Sequence, residues 1–146
     1  MTDEEIGHAI IGAAMKVHSA VGPGLLESAY QTCLTHELQK QGIGVRQQVA
    51  VPIRYDDLLI DNGYRIDLVV ENRVIVELKA VQAILPVHRG QLLSYLRLGG
   101  FRLGFLLFSR ASHEGGDRED AQWLLRFCVH SESIVSFVVI IFLGRG

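Results

Sequence analysis

The sequence predicts an α/β fold: two helices, three strands, a third helix and a final strand, built around one core. Three observations lead there. Residues 3–20 and 25–41 carry apolar side chains at helical spacing. Tyr64 to Ala80 reads as two β-branched, alternating runs around the polar connection Glu71-Asn72-Arg73. Arg102 to Phe108 is an almost continuous apolar run, as expected of a buried strand, and it follows a helical stretch closed by Gly99-Gly100. A chain of 146 residues, 49% hydrophobic and 21% charged, is long enough for one sizeable core and is not disordered in composition.

The first helix should run from Thr2 or Asp3 to about Ala20. Asp3, Glu4 and Glu5 favour its first turn, and Ile6, Ile10, Ala13, Ala14 and Val17 form its apolar stripe. Val21-Gly22-Pro23-Gly24 breaks it. A second helix is expected from about Leu25 to Gln41, with Leu26, Ala29, Tyr30, Cys33, Leu34 and Leu38 on one side and Gly42 as its stop. Glu27 falls in its first turn, where a lone acid serves the helix dipole. His18 reads as a helix-surface residue. Val45 to Tyr55 should be a strand, with Pro52 indicating a sheet edge or a bulge. Asp56-Asp57 and Asp61-Asn62-Gly63 read as two turns, their acids hydrogen-bonding locally rather than serving as ligands. Pro86 is a suitable first residue for the third helix, which should end near Leu98.

The central hairpin carries the chemistry. If Val70 and Val74 close its loop, Asp67 lies opposite Glu77 and Arg65 opposite Lys79. Period-two alternation then puts Asp67, Glu77 and Lys79 on one face, and Ile66, Leu68, Val70, Val74, Val76 and Leu78 on the other. Two carboxylates in cross-strand contact repel each other and raise one apparent pKa. A hard divalent cation, Mg²⁺ or Mn²⁺, would resolve that conflict, with Lys79 placed to orient a water or to stabilise charge on a phosphate. The plain alternative is a solvated face on which Arg65 and Lys79 neutralise the acids.

Net charge and termini restrict the function classes. A formal charge of −2 supplies no global attraction to nucleic acid, so such binding needs a local basic surface. Cys33 and Cys128 have no metal or disulfide spacing and read as reduced thiols. The acidic N-terminus lacks the order of a signal peptide, which together with the thiols points to the cytoplasm, and no membrane partner is expected.

Asp67 followed by Glu77-Leu78-Lys79 resembles the Asp…Glu-x-Lys signature of the PD-(D/E)xK nuclease superfamily. Gly24-Leu25-Leu26-Glu27-Ser28-Ala29-Tyr30 looks like the motif of its GxxExxY proteins, and Gln91-Leu92-Leu93-Ser94-Tyr95-Leu96 fits their Gln-x-x-x-Tyr-Leu helix. The resemblance spans roughly residues 5–108, with four motifs in order. It implies a restriction-endonuclease-like αβββαβ core with a mixed central sheet flanked by helices, preceded by an extra N-terminal helix. It further implies an Mg²⁺-dependent phosphodiesterase (Mn²⁺ as substitute) acting on nucleic acid, DNA ahead of RNA, with room for a homodimer. Asp67 and Glu77 would be the metal ligands and Lys79 the catalytic amine. Glu27 would be brought toward the metal, with Tyr30 packed beside it or holding it by a hydrogen bond. Gln91 and Tyr95, with His88 alongside, would position a phosphate or a water; otherwise Gln91 caps a polar helix face and Tyr95 packs on the sheet. Two competing functions remain: a nuclease-fold module that binds nucleic acid or a protein partner without cleavage, and a structural domain with a solvated acidic face.

The resemblance supports a nuclease-like domain over residues 1–110 and a divergent tail over 111–146. Family members continue with a segment like Met-Lys-Glu-Gly-Ile-Glu-Arg-Ile, where this chain has His113 to Asp120. One permissible codon set for those residues, read one base later, spells Met-Lys-Glu-Gly-Ile-Glu-Arg, which points to a shifted frame near Phe108 to Ser112. Trp123, Leu124, Leu125, Phe127 and the run Ile134 to Leu143 lack amphipathic order, and that run is far shorter than the ~20 residues that span a bilayer. It would be an added edge strand or an extension liable to aggregate.

Overall fold

A computed structural model describes residues 1–22, 25–81, 84–109 and 136–142. Helix α1 (Asp3–Val21) starts at a reciprocal cap: Glu5 N–H donates to the Thr2 hydroxyl at 3.1 Å, and Thr2 N–H donates to the Glu5 carboxylate at 2.6 Å. Such a cap satisfies two of the donors that every helix start leaves unpaired. The expected stripe, Ile6, Ile10, Ala13, Ala14 and Val17, is buried, and α1 stops at Gly22 with φ 72°. His18, expected on the surface, is buried at the end of this stripe, and desolvation lowers its pKa. It lies one residue past Val17, and both positions are buried.

Helix α2 (Glu27–Lys40) buries Tyr30, Leu34 and Leu38. Leu26, expected on that apolar side, is exposed because it precedes the helix as its cap. Strand β1 (Val45–Tyr55) has the expected bounds and forms a long hairpin with β2 (Leu58–Val70), closed at Asp56-Asp57. β3 (Val74–Ala80), α3 (Pro86–Gly99) and β4 (Leu103–Ser109) follow, and β5 (Ser136–Phe142) completes the sheet. The strand order is β1-β2-β3-β4-β5, with β3 and β4 parallel and the other neighbours antiparallel, so the sheet is mixed. β5 pairs along the whole of β4 as an edge strand. Residues 110–135 and 143–146, which include His113 to Asp120, Trp123 and Cys128, lie outside the described residues, as does Gly24 of the helix motif. Among the described residues, no helix is long and apolar enough to cross a membrane.

Asp61-Asn62-Gly63 is not a turn. Val51 pairs with Tyr64 and Ile53 with Ile60, so these three residues lie opposite Pro52 alone, inside β2. Proline has no N–H for the ladder, and the strand bulges where that bond is missing. Gly63 is required by contact rather than by a turn angle: a Cβ there would fall 2.3 Å from Cγ1 of Ile53.

The sheet is buried on both sides. Leu68, Val70, Val74, Val76 and Leu78 pack with α1 and α2, while Val69, Ile75 and Leu106 pack with Leu92, Tyr95 and Leu96 of α3. Each such Leu, Ile or Val contributes about 1.5–3 kcal/mol by leaving water. The hairpin face expected to be charged is therefore apolar near the loop and polar only towards Asp67 and Glu77. Ile66, expected beside Leu68, belongs instead to the α3-side cluster. Residues two apart on opposite sides mean that the alternation breaks at Asp67.

Candidate active site

The β2–β3 ladder has the expected register, Val70 with Val74, Val69 with Ile75 and Leu68 with Val76. It stops one pair before Asp67 and Glu77. There the two carboxylates take over the hydrogen bonding. Leu78 N–H donates to Asp67 Oδ2 at 2.9 Å, and Asp67 N–H donates to Glu77 Oε1 at 3.1 Å. Each acid thus caps a main-chain donor of the other strand, which holds the pair in contact. The ladder also ends before Arg65 and Lys79, so no pairing of these two continues it; on their other sides Arg65 lies opposite Ala50 of β1, and Lys79 opposite Phe108 of β4.

The environments of the two acids differ. Glu77 is only 3% exposed, whereas Asp67 is half-buried. Burial, reinforced by the Asp67 charge, pushes the Glu77 carboxyl up to about 8; the Asp67 N–H and the Lys79 charge oppose the shift. Glu77 therefore keeps its proton at neutral pH while no cation is present.

Lys79 sits half-buried two residues beyond Glu77, beside a cavity of about 20 Å³ that Glu27, Tyr30 and Phe108 also line. That is room for one water. Glu27 reaches the same end of β3, where its carboxylate accepts from Ala80 N–H at 2.9 Å. Tyr30 lines the cavity without a hydrogen bond to Glu27: its hydroxyl donates to the Ala14 carbonyl at 3.0 Å, tying α2 to α1. Burial raises the Tyr30 phenol to about 12, so it stays a neutral donor.

From the opposite layer, Gln91 Nε2 donates to the Tyr95 hydroxyl at 2.7 Å. The Tyr95 ring meets Tyr64 edge-on with centroids 5.0 Å apart. Burial first, then the Glu77 charge, raises Tyr95 to about 12, so its phenol stays neutral. His88 is occupied elsewhere: its Nδ1 accepts from Leu85 N–H at 3.0 Å, capping α3.

Three glutamines were not anticipated. Gln48 Nε2 donates to Asp67 Oδ1 at 3.1 Å and to Gln31 Oε1 at 2.8 Å, and Gln31 Nε2 donates to Gln47 Oε1 at 3.0 Å. The available signals were Gln31 one turn after Glu27, and a Gln47-Gln48 pair interrupting the apolar alternation of β1.

The donor set fits a small hard cation. Among the described residues, no group of three or more His, Cys, Asp or Glu side chains converges on one point. Mg²⁺ needs no such cage, because it keeps several waters and is commonly held by one or two carboxylates together with substrate phosphate oxygens. Asp67 and Glu77 in contact, with an amine nearby, match that demand.

A family profile of the PD-(D/E)XK nuclease superfamily matches residues 4–118. The chain belongs to that superfamily, and its α/β architecture, with α1 added before the core, is consistent with a restriction-endonuclease-like fold. Membership points to nuclease-type activity, and members generally use divalent metal ions. The solved structure of SSO0001 is similar at 18% identity and a TM-score of 0.49, over 75% of this chain and 55% of that one. The chain thus spans about half the length of that protein. None of the curated proteins matches the chain.

Proposed function

We propose that the chain is a divalent-metal-dependent phosphodiesterase that cleaves nucleic acid, DNA ahead of RNA. The observation that carries this reading is the contact between Asp67 and Glu77 at the point where the β2–β3 ladder stops, with Lys79 two residues further on. Asp67 and Glu77 would hold Mg²⁺, or Mn²⁺ in its place. When bound, the cation supplies Lewis-acid polarisation of the scissile phosphodiester. Lys79 holds the attacking water or balances negative charge on the phosphate. Glu27, fixed on Ala80 N–H, sets the end of β3 and so the direction of Lys79. The Gln91–Tyr95 pair offers a hydrogen-bonding platform for a phosphate oxygen or a water. Within the superfamily, the order of Glu27 and Tyr30, Asp67, Glu77 and Lys79, then Gln91 and Tyr95 supports assignment to the GxxExxY proteins.

The test is cleavage of single- and double-stranded DNA and RNA with Mg²⁺ or Mn²⁺, comparing wild type with Lys79→Ala and Asp67→Asn purified in parallel. Lys79→Ala should lower the rate by ~10²-fold or more, the scale of losing a positioned electrostatic group. Equal cleavage by all three proteins would identify a contaminant and remove the activity from this chain. Retained binding without cleavage of any substrate would transfer the reading to a non-cutting nucleic-acid module.

A further inference from the structure

Four side-chain-bearing residues have positive φ among those described: Gln48, Asp56, Glu71 and Asn72. Asp56 belongs to the β1–β2 turn, and Glu71 and Asn72 to the β2–β3 loop, where reversing the chain requires such angles. Gln48, at φ 51°, sits in the middle of a strand. That backbone region is costly for any residue with a Cβ and persists where its surroundings over-determine it. Burial is not the reason, because Gln48 is exposed and water could satisfy its amide. Its neighbours keep strict register, Gln47 with Leu68 and Val49 with Ile66, so the distortion is confined to the position facing Asp67.

The hydrogen-bond polarity leaves one arrangement. Both Asp67 oxygens accept, Oδ2 from Leu78 N–H and Oδ1 from Gln48. Gln48 must therefore turn its NH₂ group, not its carbonyl, toward the acid. The second hydrogen of that group goes to Gln31 Oε1, which fixes Gln31 so that its own NH₂ meets Gln47 Oε1. Gln31 is only 9% exposed and cannot readily exchange these partners for water. Gln31 also lies one turn beyond Glu27, so one face of α2 braces Asp67 through Gln48 and the end of β3 through Ala80.

The geometry points to Gln48, anchored by Gln31, as a positioning residue that fixes the Asp67 carboxylate in the orientation a bound cation requires. Its importance for a metal rests on the function proposed above; its hold on Asp67 does not. The two are separated by two measurements. In the first, NMR follows the side-chain amide signals of Gln48 and Gln31 in wild type and Asp67→Asn. In the variant, the Leu78 N–H keeps the Asn carbonyl, and the Asn NH₂ then faces the Gln48 NH₂, donor against donor. Dispersed, slowly exchanging Gln48 signals in wild type that move in Asp67→Asn are expected. Averaged signals unmoved by the substitution would overturn the proposal.

In the second measurement, Mn²⁺ is titrated into wild type and Gln48→Gly. Glycine accepts φ 51° without strain, which offsets part of the cost of the two lost side-chain hydrogen bonds and keeps the variant folded for the titration. It should nevertheless bind Mn²⁺ about 10-fold more weakly, the lower end of the effect of removing a group that orients a metal ligand. Affinity unchanged in the folded variant would overturn the proposal. Wild type that takes no Mn²⁺ would instead refute the metal reading, and the amide signals would still decide whether Gln48 holds Asp67.

Discussion

Glu77→Gln in metal-free protein should remove a steep pH dependence of stability. Glu77 has an ordinary value of 4.5 and is pushed up to about 8 in the fold. Between those values the folded chain holds a proton that the unfolded chain has released. The slope of unfolding free energy with pH follows protons bound unfolded minus protons bound folded, so here it is negative. The contribution is complete below about pH 4.5 and is lost as pH rises to about 8. At ~1.36 kcal/mol per pH unit, the loss reaches about 5 kcal/mol, a large part of the total stability of a domain this size. Gln keeps an oxygen for the Asp67 N–H and gains an NH₂ that can face Asp67 as the protonated acid does. The variant should therefore be flat from pH 6.5 to 8 and, at pH 8, several kcal/mol more stable than wild type. His18 acts with the opposite sign, because its lowered pKa adds stability as pH rises toward 6.5. The window from pH 6.5 to 8 therefore isolates Glu77. Urea denaturation in EDTA at half-unit steps measures the effect. Parallel curves for the two proteins across that window would refute the burial and charge argument for Glu77.

Two further outcomes are expected, one from the geometry and one from the sequence. Tyr30→Phe removes the hydroxyl that donates to the Ala14 carbonyl and should cost about 1 kcal/mol in urea denaturation without lowering cleavage per folded molecule; a large loss of activity would make Tyr30 part of the chemistry after all. The gene, read one base later downstream of the Phe108 codon, should encode a segment beginning near Met-Lys-Glu-Gly-Ile, and DNA sequencing decides it: codons at His113 to Arg118 that do not give those residues make the tail over 111–146 a genuine divergent extension.

The elements legible in the sequence were those set by periodicity and punctuation. The bounds of β1, the Pro86 start and Gly100 stop of α3, and the Val70–Val74 closure all express local rules, and the structure has them there. The closure carries the most information, since it alone sets Asp67 and Glu77 together. Asp61-Asn62-Gly63 failed because turn-like composition reports only that the ladder is interrupted, and a bulge opposite Pro52 interrupts it as well as a turn does. Ile66 failed because period-two counting assumes an unbroken strand, whereas the alternation breaks at Asp67. The glutamines were illegible for a different reason. Gln31 and Gln48 acquire meaning only when α2 lies against β1, and nothing local to either residue reports that approach.

The central claim, a cation held between Asp67 and Glu77, is tested most directly by the melting temperature of EDTA-treated protein as Mg²⁺ or Mn²⁺ is added. A ligand selective for the folded state stabilises it by about 2.7 kcal/mol at a hundred times its dissociation constant. For a domain of this size that is a rise of roughly 5–10 °C. Wild type should show a saturable rise of that order, larger at pH 8 than at pH 6 because Glu77 must release its proton to bind. Asp67→Asn should show none. Equal rises in wild type and Asp67→Asn would place any bound metal elsewhere and contradict the account.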